Sequence, residues 1–342
     1  MSLSRLLLVL AAAAAIGLVP AAVAEDPFPT LGTIERLDPG FDKLIPPTAK
    51  LELLEANKFE WSEGPVWVPD GKYLLFSDIP RNQIWKWKDG EGLSVFLKPA
   101  GYSGAAPFTG REPGSNGLLL DKEGRLILCQ HGDRRVARRE KDGQIKTLAD
   151  RYQGKRFNSP NDGCFAANGD LYFTDPPYGL PKQMEDPAKE LDFQGVYKLT
   201  ARGELTLLTK EMTRPNGIAL SPDDKTLYVA NSDAPPRAVI RAFDVKSDGT
   251  IGNGRTFFDA SPLARDGKKG APDGMKVDRA GNLFATGPGG VLVLTADGKH
   301  LGTIATGVPT ANCGWGDDGS VLYVTADKNL CRIKTATKGK GF

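Results

Sequence analysis

Histidine and cysteine are scarce in this chain of 342 residues, which contains two His and four Cys. Two histidines are too few to build the His-rich sites that zinc and copper prefer. No C-x-x-C pair for zinc binding or thiol exchange occurs among the cysteines, which are Cys129, Cys164, Cys313 and Cys331. Their even number leaves two alternatives open, one or two disulfides or a set of small buried side chains.

The chain also lacks an excess of charge of either sign. Its 44 Lys and Arg residues stand against 42 Asp and Glu residues, which gives a formal charge of +2, and the two signs are interleaved along the sequence. Because nucleic-acid binding needs clustered cations, a nucleic-acid partner is not expected. Glycine and proline are abundant, with 40 and 25 residues, and therefore indicate many turns between short strands.

Long apolar runs are absent except at the N-terminus. Residues 1–5 carry one positive charge, residues 6–20 are rich in Leu and Ala, and Ala22-Val23-Ala24 forms a small-x-small cleavage site before Glu25. This pattern predicts a secretory signal peptide over 1–24. The alternative, a membrane anchor, needs about 20 apolar residues, whereas a glycine and a proline interrupt this run. We therefore expect a periplasmic or secreted protein that does not associate with the membrane after cleavage.

After a proline-rich leader at 25–47, one pattern recurs six times. Each copy has a short polar residue, usually followed by Gly, then an apolar strand, a tight turn and two further strands. The copies are spaced by 39 to 57 residues, which is typical of the four-stranded blades of a β-propeller. They open at Glu63, Asn116, Asn161, Asn216, Asp273 and Asn312.

The repeat predicts an all-β protein, a six-bladed β-propeller over residues 48–338. Turns such as Asp70-Gly71 and Asn168-Gly169 would separate the first and second strands of a blade. A strand at 51–57 would supply the outer strand of the last blade and close the ring of blades, which removes exposed sheet edges. Third strands are expected at 83–88, 135–139, 195–199, 239–244, 291–295 and 330–334.

The six opening residues, hereafter the ring, would meet at one mouth of the central channel, because the first strand of a propeller blade is innermost. Two ring residues are carboxylates and four are amides, and such oxygen ligands suit a hard divalent cation such as Ca²⁺. The alternative is turn chemistry, since Asn, Asp and Glu before Gly also satisfy their own backbone. Recurrence of the position in all six copies favours a metal site in the channel.

Several motifs spread over the domain carry a family resemblance. They are S-E-G-P-V-W at 62–67, S-N-G-L at 115–118, H-G at 131–132, S-P-N-D-G at 159–163, Y-F-T-D-P-P-Y-G at 172–179, R-P-N-G-I at 214–218 and P-D-G-M at 272–275. The sequence resembles the SMP-30/gluconolactonase/LRE-like (regucalcin-related) superfamily, and in particular its bacterial gluconolactonase-like branch.

The resemblance implies a six-bladed propeller that holds one divalent cation, most simply Ca²⁺. The implied ligands are Glu63, Asn161, Asn216 and Asp273. Asn116 and Asn312 remain candidates for contact with the substrate or with water. Arg156 is a further candidate, although some animal members present their arginine two residues before the blade-three Asn, and here the spacing is longer.

Two residues are candidates for the general base that activates water. His131 follows the second strand of blade two, where a base of near-neutral pKa would lie beside the channel mouth. The alternative for His131 is a loop histidine that bonds a neighbouring blade. Asp273 is the second candidate. Asp78 and Asp175, which end second strands, are interpreted as structural hydrogen-bonding residues between blades.

The function expected from the resemblance is an exported, metal-dependent hydrolase that opens a lactone, such as a sugar-derived aldonolactone. The cation would act as a Lewis acid on the carbonyl or position the attacking water. One alternative is a phosphotriesterase-like or arylesterase-like hydrolase that uses the same ring. Another is a non-catalytic propeller that binds a ligand or a protein partner. The oligomeric state is left open by the sequence.

Overall fold

The computed structural model describes residues 28–342, and the predicted signal peptide at 1–24 lies outside them. No helix in this part of the chain combines the length and the apolar character needed to cross a bilayer. The N-terminal segment forms β1 (Thr33–Arg36), a 3-10 helix (Pro39–Lys43) and β2 (Glu52–Glu55).

Short strands then follow one another along the chain, as the spacing of turns predicts. Blade one contains β3 (Ser62–Val68), β4 (Tyr73–Asp78), β5 (Gln83–Lys88) and β6 (Gly92–Leu97), and blade two contains β7 (Ser115–Leu120), β8 (Leu126–Gln130), β9 (Arg135–Arg139) and β10 (Ile145–Ala149). A hairpin of β11 (Arg151–Tyr152) and β12 (Lys155–Arg156) precedes blade three, which contains β13 (Gly163–Phe165), β14 (Leu171–Asp175), a 3-10 helix (Gln183–Glu185), β15 (Gly195–Leu199) and β16 (Leu205–Thr209).

The second half of the chain repeats this arrangement. Blade four contains β17 (Pro215–Leu220), β18 (Thr226–Ser232), β19 (Ala238–Val245) and β20 (Ile251–Asp259), and is followed by α1 (Ser261–Arg265). Blade five contains β21 (Met275–Val277), β22 (Leu283–Gly287), β23 (Gly290–Leu294) and β24 (His300–Ala305), and blade six contains β25 (Asn312–Gly316), β26 (Val321–Ala326) and β27 (Asn329–Lys334).

The blades are antiparallel sheets, and their first strands surround a central channel. Each blade pairs its strands in sequence order. The first strands contact one another in the order β3, β7, β13, β17, β21, β25 and back to β3. Within residues 28–342 this arrangement confirms the six-bladed propeller.

The N-terminal segment closes the ring of blades. Strand β2 pairs with β27, with Leu53 opposite Cys331, which confirms the predicted outer strand of blade six. Strand β1 adds a fifth strand to blade five by pairing with β24, which the sequence pattern does not predict. Phe41 and Ile45, from the predicted leader, are fully buried in the core between blades five and six. Part of the segment at 25–47 is therefore packed on the propeller.

Apolar clusters fill the spaces between consecutive blades and hold them together. Between blades six and one, the rings of Tyr323 and Trp67 stack with their centroids 5.7 Å apart. All four cysteines lie in the described part of the chain without a disulfide, and three of them are buried, so the alternative of small packed side chains is the one observed.

The C-terminal residues cover part of the channel end opposite the ring. The Lys340 amide donates to the carbonyl of Val277, where β21 ends, at 2.9 Å. Its Nζ donates to the Ser221 carbonyl at 2.8 Å and forms an ion pair with Asp224. Phe342 packs against the cluster between blades six and one. The tail therefore links blades four, five and six at this end.

Candidate functional site

The structure brings the ring residues together at one end of the channel, as the repeat predicts. The amide of Asn312 from blade six reaches Glu63 of blade one, and the amide N–H of Gly117, next to Asn116, donates to the Asn161 carbonyl at 2.7 Å. Asn161 and Asp273 each lie two residues before their first strand rather than inside it.

The glycine that follows most ring residues is explained by the close approach of neighbouring blades. A Cβ atom on Gly217 would lie 2.0 Å from the carbonyl oxygen of Asp273, and one on Gly64 would lie 2.2 Å from that of Asn116. No side chain fits at either position. Blade packing therefore accounts for the glycine of the recurring dipeptide but not for the oxygen-bearing side chain that precedes it.

Several ring oxygens are buried without a protein partner. Such atoms are rare in folded proteins and call for an explanation. The Nδ2 atom of Asn161 lies 3.5 Å from Nε2 of His131, and that of Asn216 donates to the Ser232 hydroxyl at 3.3 Å. Within residues 28–342, Oδ1 of Asn161, Asn116 and Asp273 accepts no hydrogen bond. The amide nitrogen of Asn161 thus faces His131, and its Oδ1 has no protein partner among the described residues.

Asn312 bridges two carboxylates. Its Nδ2 lies 3.3 Å from Oε2 of Glu63 and 3.2 Å from Oδ2 of Asp162, while its Oδ1 accepts the main-chain N–H of Cys313 at 2.9 Å. Each polar group of Asn312 therefore has a protein partner, and its side chain is almost fully buried. This geometry favours a role in holding Glu63 rather than the substrate contact that the resemblance leaves open.

Three carboxyl groups crowd the ring and disfavour one another's charge. Burial, joined by the negative charge of Asp162, raises the pKa of Glu63 to about 8. Burial and the charge of Glu63 raise the pKa of Asp273 well above its ordinary value. Burial also raises the pKa of Asp162, although Lys276 acts in the opposite direction. A cation bound between such groups would offset their repulsion.

Asp162 is not predicted by the sequence pattern, which counts Asn161 as the opening residue of blade three. Aligning the copies on the glycine would find it, because Asp162 precedes Gly163 as Asn116 precedes Gly117.

The donor set fits a hard divalent cation. Among residues 28–342 no three His, Cys, Asp or Glu side chains form a metal-binding group of their own. The predicted ligands instead combine two carboxylates with two amide oxygens, Glu63 and Asp273 with Asn161 and Asn216. Oε2 of Glu63 accepts the Gly64 amide at 3.0 Å, which leaves Oε1 for a ligand. Carboxylate and amide oxygens are the donors that calcium takes.

His131 lies beside the ring and is completely buried. Its Nδ1 is 2.9 Å from Oε2 of Glu112, although the two atoms are not aligned as a hydrogen bond. Glu112 belongs to the loop that joins β6 to β7. Connections of this kind differ in length and sequence from blade to blade, so the sequence pattern does not indicate Glu112.

Arg156 is not brought to the ring. Its guanidinium donates to the carbonyl of Asp133 at 2.9 Å, and its main-chain N–H donates to Glu190 at 2.8 Å. No ring residue is among its hydrogen-bond partners in the described part of the chain. The structure therefore offers no support for the predicted substrate contact of Arg156.

Tyr178 lies close to Asp273 of the ring and packs against Arg214. The hydroxyl of Tyr178 interacts with Ser232, and burial together with the charge of Asp273 raises the pKa of Tyr178. The guanidinium of Arg214 lies 5.8 Å from the centre of the Tyr178 ring and donates to Gln183 at 3.1 Å. Tyr178 and Gln183 come from the loop between β14 and β15, outside the repeat.

Comparison with known proteins agrees with this architecture. The model of the SMP-30/Gluconolactonase/LRE-like region matches residues 61–328, which is nearly the whole propeller. The chain belongs to this family. A gluconolactonase of Zymomonas mobilis is 41% identical over 320 residues, which cover 91% of this chain and 88% of that protein.

Two solved structures of other proteins are similar to the structure of this chain. The gluconolactonase of Xanthomonas campestris has a TM-score of 0.76 at 31% identity, covering 91% of this chain and 98% of that one. A calcium-binding regucalcin of Agrobacterium tumefaciens has a TM-score of 0.64 at 20% identity, covering 85% of this chain and 94% of that one. The second likeness shows the shared fold alone.

Proposed function

We propose that this protein is a cation-dependent lactonase that opens a small lactone, most simply a sugar-derived aldonolactone. The observation that carries the proposal is the set of buried ring oxygens without protein partners, Oδ1 of Asn161 and Asp273 above all. Calcium is the cation that this oxygen set suits best. The gluconolactonases of Z. mobilis and X. campestris support a lactone as the substrate.

The reaction adds water across the ester bond of the ring. A bound divalent cation would supply Lewis acidity toward the lactone carbonyl. A carboxylate takes one proton from the attacking water, whose oxygen bonds to the carbonyl carbon. The bond between that carbon and the ring oxygen then breaks, and the released oxygen takes up the proton. The products are one carboxylic acid and one hydroxyl on the same molecule.

The geometry favours Asp273 over His131 as the group that accepts the proton. Both ring nitrogens of His131 already face protein neighbours, and no part of its side chain reaches solvent. Asp273 is half-buried, with one oxygen lacking any partner among residues 28–342. One of its oxygens would bind the cation and the other would face the water.

Two loops meet beside the ring. The loop that carries Glu112 meets the loop that carries Tyr178, because a Cβ on Gly110 would lie 3.4 Å from the Cα of Pro181. Together they cover one side of the ring mouth.

The proposal is tested by hydrolysis assays on the chelated protein and after single metals are restored. A panel of aldonolactones, aryl esters and phosphotriesters separates the candidate activities. We expect lactone opening that is lost with chelator and restored by Ca²⁺. Turnover of phosphotriesters or aryl esters alone would favour the other hydrolase. Silence on the whole panel would favour a binding protein.

Substitution of the two ring carboxylates provides the matched test. Glu63→Gln and Asp273→Asn keep the shape of the side chain, but each removes the charge of one of the two carboxylates among the predicted ligands. Each should therefore weaken calcium binding at least tenfold by calorimetry. Lactone turnover should fall with it. Asp318→Asn, in an exposed turn at the other end of blade six, is the control and should behave as wild type. Unchanged calcium affinity in both ring variants would refute the cation site.

We further propose that the protein is exported to the periplasm or secreted. The support is the charged, apolar and A-x-A pattern of residues 1–24. Cell fractionation of the natural host, with N-terminal sequencing of the product, is the test. A cytoplasmic protein that retains Met1 or Ser2 would contradict the proposal.

A further inference from the structure

Three polar side chains form a line from a surface loop to the ring. Oε2 of Glu112 lies 2.9 Å from Nδ1 of His131, and Nε2 of His131 lies 3.5 Å from Nδ2 of Asn161. Glu112 retains partial exposure, whereas His131 and Asn161 are buried. The line therefore connects the half-exposed loop before β7 with a predicted cation ligand.

The imidazole of His131 is held in place from several sides. Its main-chain N–H donates to the Gly114 carbonyl at 3.1 Å. Gly179 packs so tightly against it that a Cβ there would lie 2.6 Å from the Cβ of His131. Because the side chain is also fully buried, packing against neighbouring residues fixes its position.

Hydrogen-bond chemistry then determines the orientation of the Asn161 amide. A neutral imidazole has one N–H donor and one lone-pair acceptor. The carboxylate of Glu112 lies 2.9 Å from Nδ1 without being aligned as a hydrogen bond, and its negative charge favours the tautomer that carries the proton on Nδ1. This tautomer leaves the lone pair on Nε2. That lone pair attracts the NH₂ end of the Asn161 amide. The amide oxygen must then point to the opposite side, where Oδ1 is buried without a protein partner.

We propose that Glu112 and His131 are positioning residues that turn the oxygen of Asn161 toward the cation. The inference rests on the cation-dependent function proposed above. It assigns His131 no proton transfer from water. Groups that orient a metal ligand in this way typically change metal affinity 10- to 100-fold when they are replaced.

Substitution of His131 separates this role from that of a general base. In His131→Gln the side-chain oxygen can take the place of Nε2 and accept from Asn161, whereas His131→Phe fills the space without an acceptor. We expect His131→Gln to bind calcium within about threefold of wild type and to keep most of its turnover rate. His131→Phe should bind calcium 10- to 100-fold more weakly by titration calorimetry with CaCl₂ on the full chain.

Two substitutions of the partly exposed Glu112 form a second matched pair of variants and leave the buried core unchanged. Glu112→Gln retains an oxygen whose partial negative charge can face Nδ1, and Glu112→Leu does not. Both variants lose a negative charge that acts on Glu63 and Asp273, so they are compared with each other, and calcium affinity should be at least fivefold lower in Glu112→Leu than in Glu112→Gln. His300→Phe is the control, because His300 is half-buried in blade five and contacts Thr303, away from the ring.

The outcomes decide between the roles. Calcium affinity equal to wild type in both His131→Phe and Glu112→Leu overturns the inference and leaves the proposed lactonase intact. If His131→Gln turns over lactone at least 100-fold more slowly with its calcium affinity unchanged, the inference is overturned in favour of a general base. Absence of calcium binding by the wild type would instead refute the cation site itself, before any variant is compared.

Discussion

At the scale of single residues, buried carboxylates do two different jobs in this propeller. The carboxylates of the ring have few hydrogen-bond donors around them, whereas Asp175 and Asp78 each accept several hydrogen bonds. Asp175 accepts main-chain N–H groups from Asn158 at 2.9 Å and Ser159 at 2.7 Å. Asp78 does the same for Glu60 and Trp61. Both aspartates are structural, but the prediction that they bond between blades is wrong, because their donors lie in the segment that leads into the same blade.

Asp175 should give the stability of the protein a characteristic pH dependence. Burial raises its pKa to about 7, against the two N–H donors and the charges of Arg134 and Lys189. The folded protein therefore binds a proton that the unfolded chain releases near pH 4. Stability from this group is present in full at low pH and is lost as pH rises toward 7.

Asp175→Asn should abolish that dependence. The variant loses one acceptor for a main-chain N–H, which costs about 1–3 kcal/mol at low pH. The advantage of the wild type should shrink as pH rises from about 4 to 7, as measured by urea unfolding. Asp142→Asn, in an exposed turn, is the control. A constant difference between wild type and Asp175→Asn across this range would contradict the assignment.

Most ring residues were predictable because the repeat places them at equivalent positions, as it does Glu63 and Asn216. Glu112 and Tyr178 were not, because the loops that carry them differ in length and sequence from blade to blade. The bridging role of Asn312 was equally out of reach. It depends on which way an amide points between two blades, and the spacing of residues in sequence does not encode that direction.

At the scale of strands, the contacts between blades explain why certain small residues recur. Hydroxyl groups on second strands donate to main-chain carbonyls at the start of the next blade. Ser77 bonds the Asn116 carbonyl and Thr174 that of Asn216, both at 2.8 Å. These bonds fix the inner ends of neighbouring blades against each other, and so they fix the ring.

Gly217 offers a direct test of this close packing. In Gly217→Ala the new Cβ would collide with the Asp273 carbonyl, which should cost about 1–3 kcal/mol of stability and weaken calcium binding by displacing Asp273. Gly252→Ala, on the outer strand β20, meets only ordinary contacts and should be neutral or slightly stabilising. Thermal unfolding and calorimetry of both variants measure the effect, and equal behaviour would argue against blade packing as the reason for Gly217.

Most strands follow from turn residues and alternating apolar positions, and the third strands lie where the pattern predicts them, as for Gln83–Lys88 and Arg135–Arg139. Strand β1 escaped prediction because Thr33–Arg36 has four residues and no flanking hairpin. This segment forms a strand because it pairs with the exposed edge of β24, which is far away in sequence.

At the scale of the whole molecule, the proposed cation joins residues of blades one, three, four and five. A ligand that binds only the folded state stabilises it by about 2.7 kcal/mol at a hundredfold excess over Kd. Calcium should therefore raise the melting temperature and chelator should lower it, as followed by calorimetric scanning. The shift should be much smaller in Asp273→Asn and retained in Asp318→Asn. A transition that does not move with calcium concentration would count against the site.

Because β2 closes the ring of blades, folding cannot be completed until the end of the chain has been synthesised. Arg332 bonds Glu52 across 280 residues of sequence. At a synthesis rate of about 5–20 residues per second, Glu52 waits roughly 15–60 s for this partner to be made. The last blade is incomplete throughout that interval, so the chain cannot adopt its complete fold during synthesis. Such a delay would serve a protein that must be threaded through a membrane before it folds.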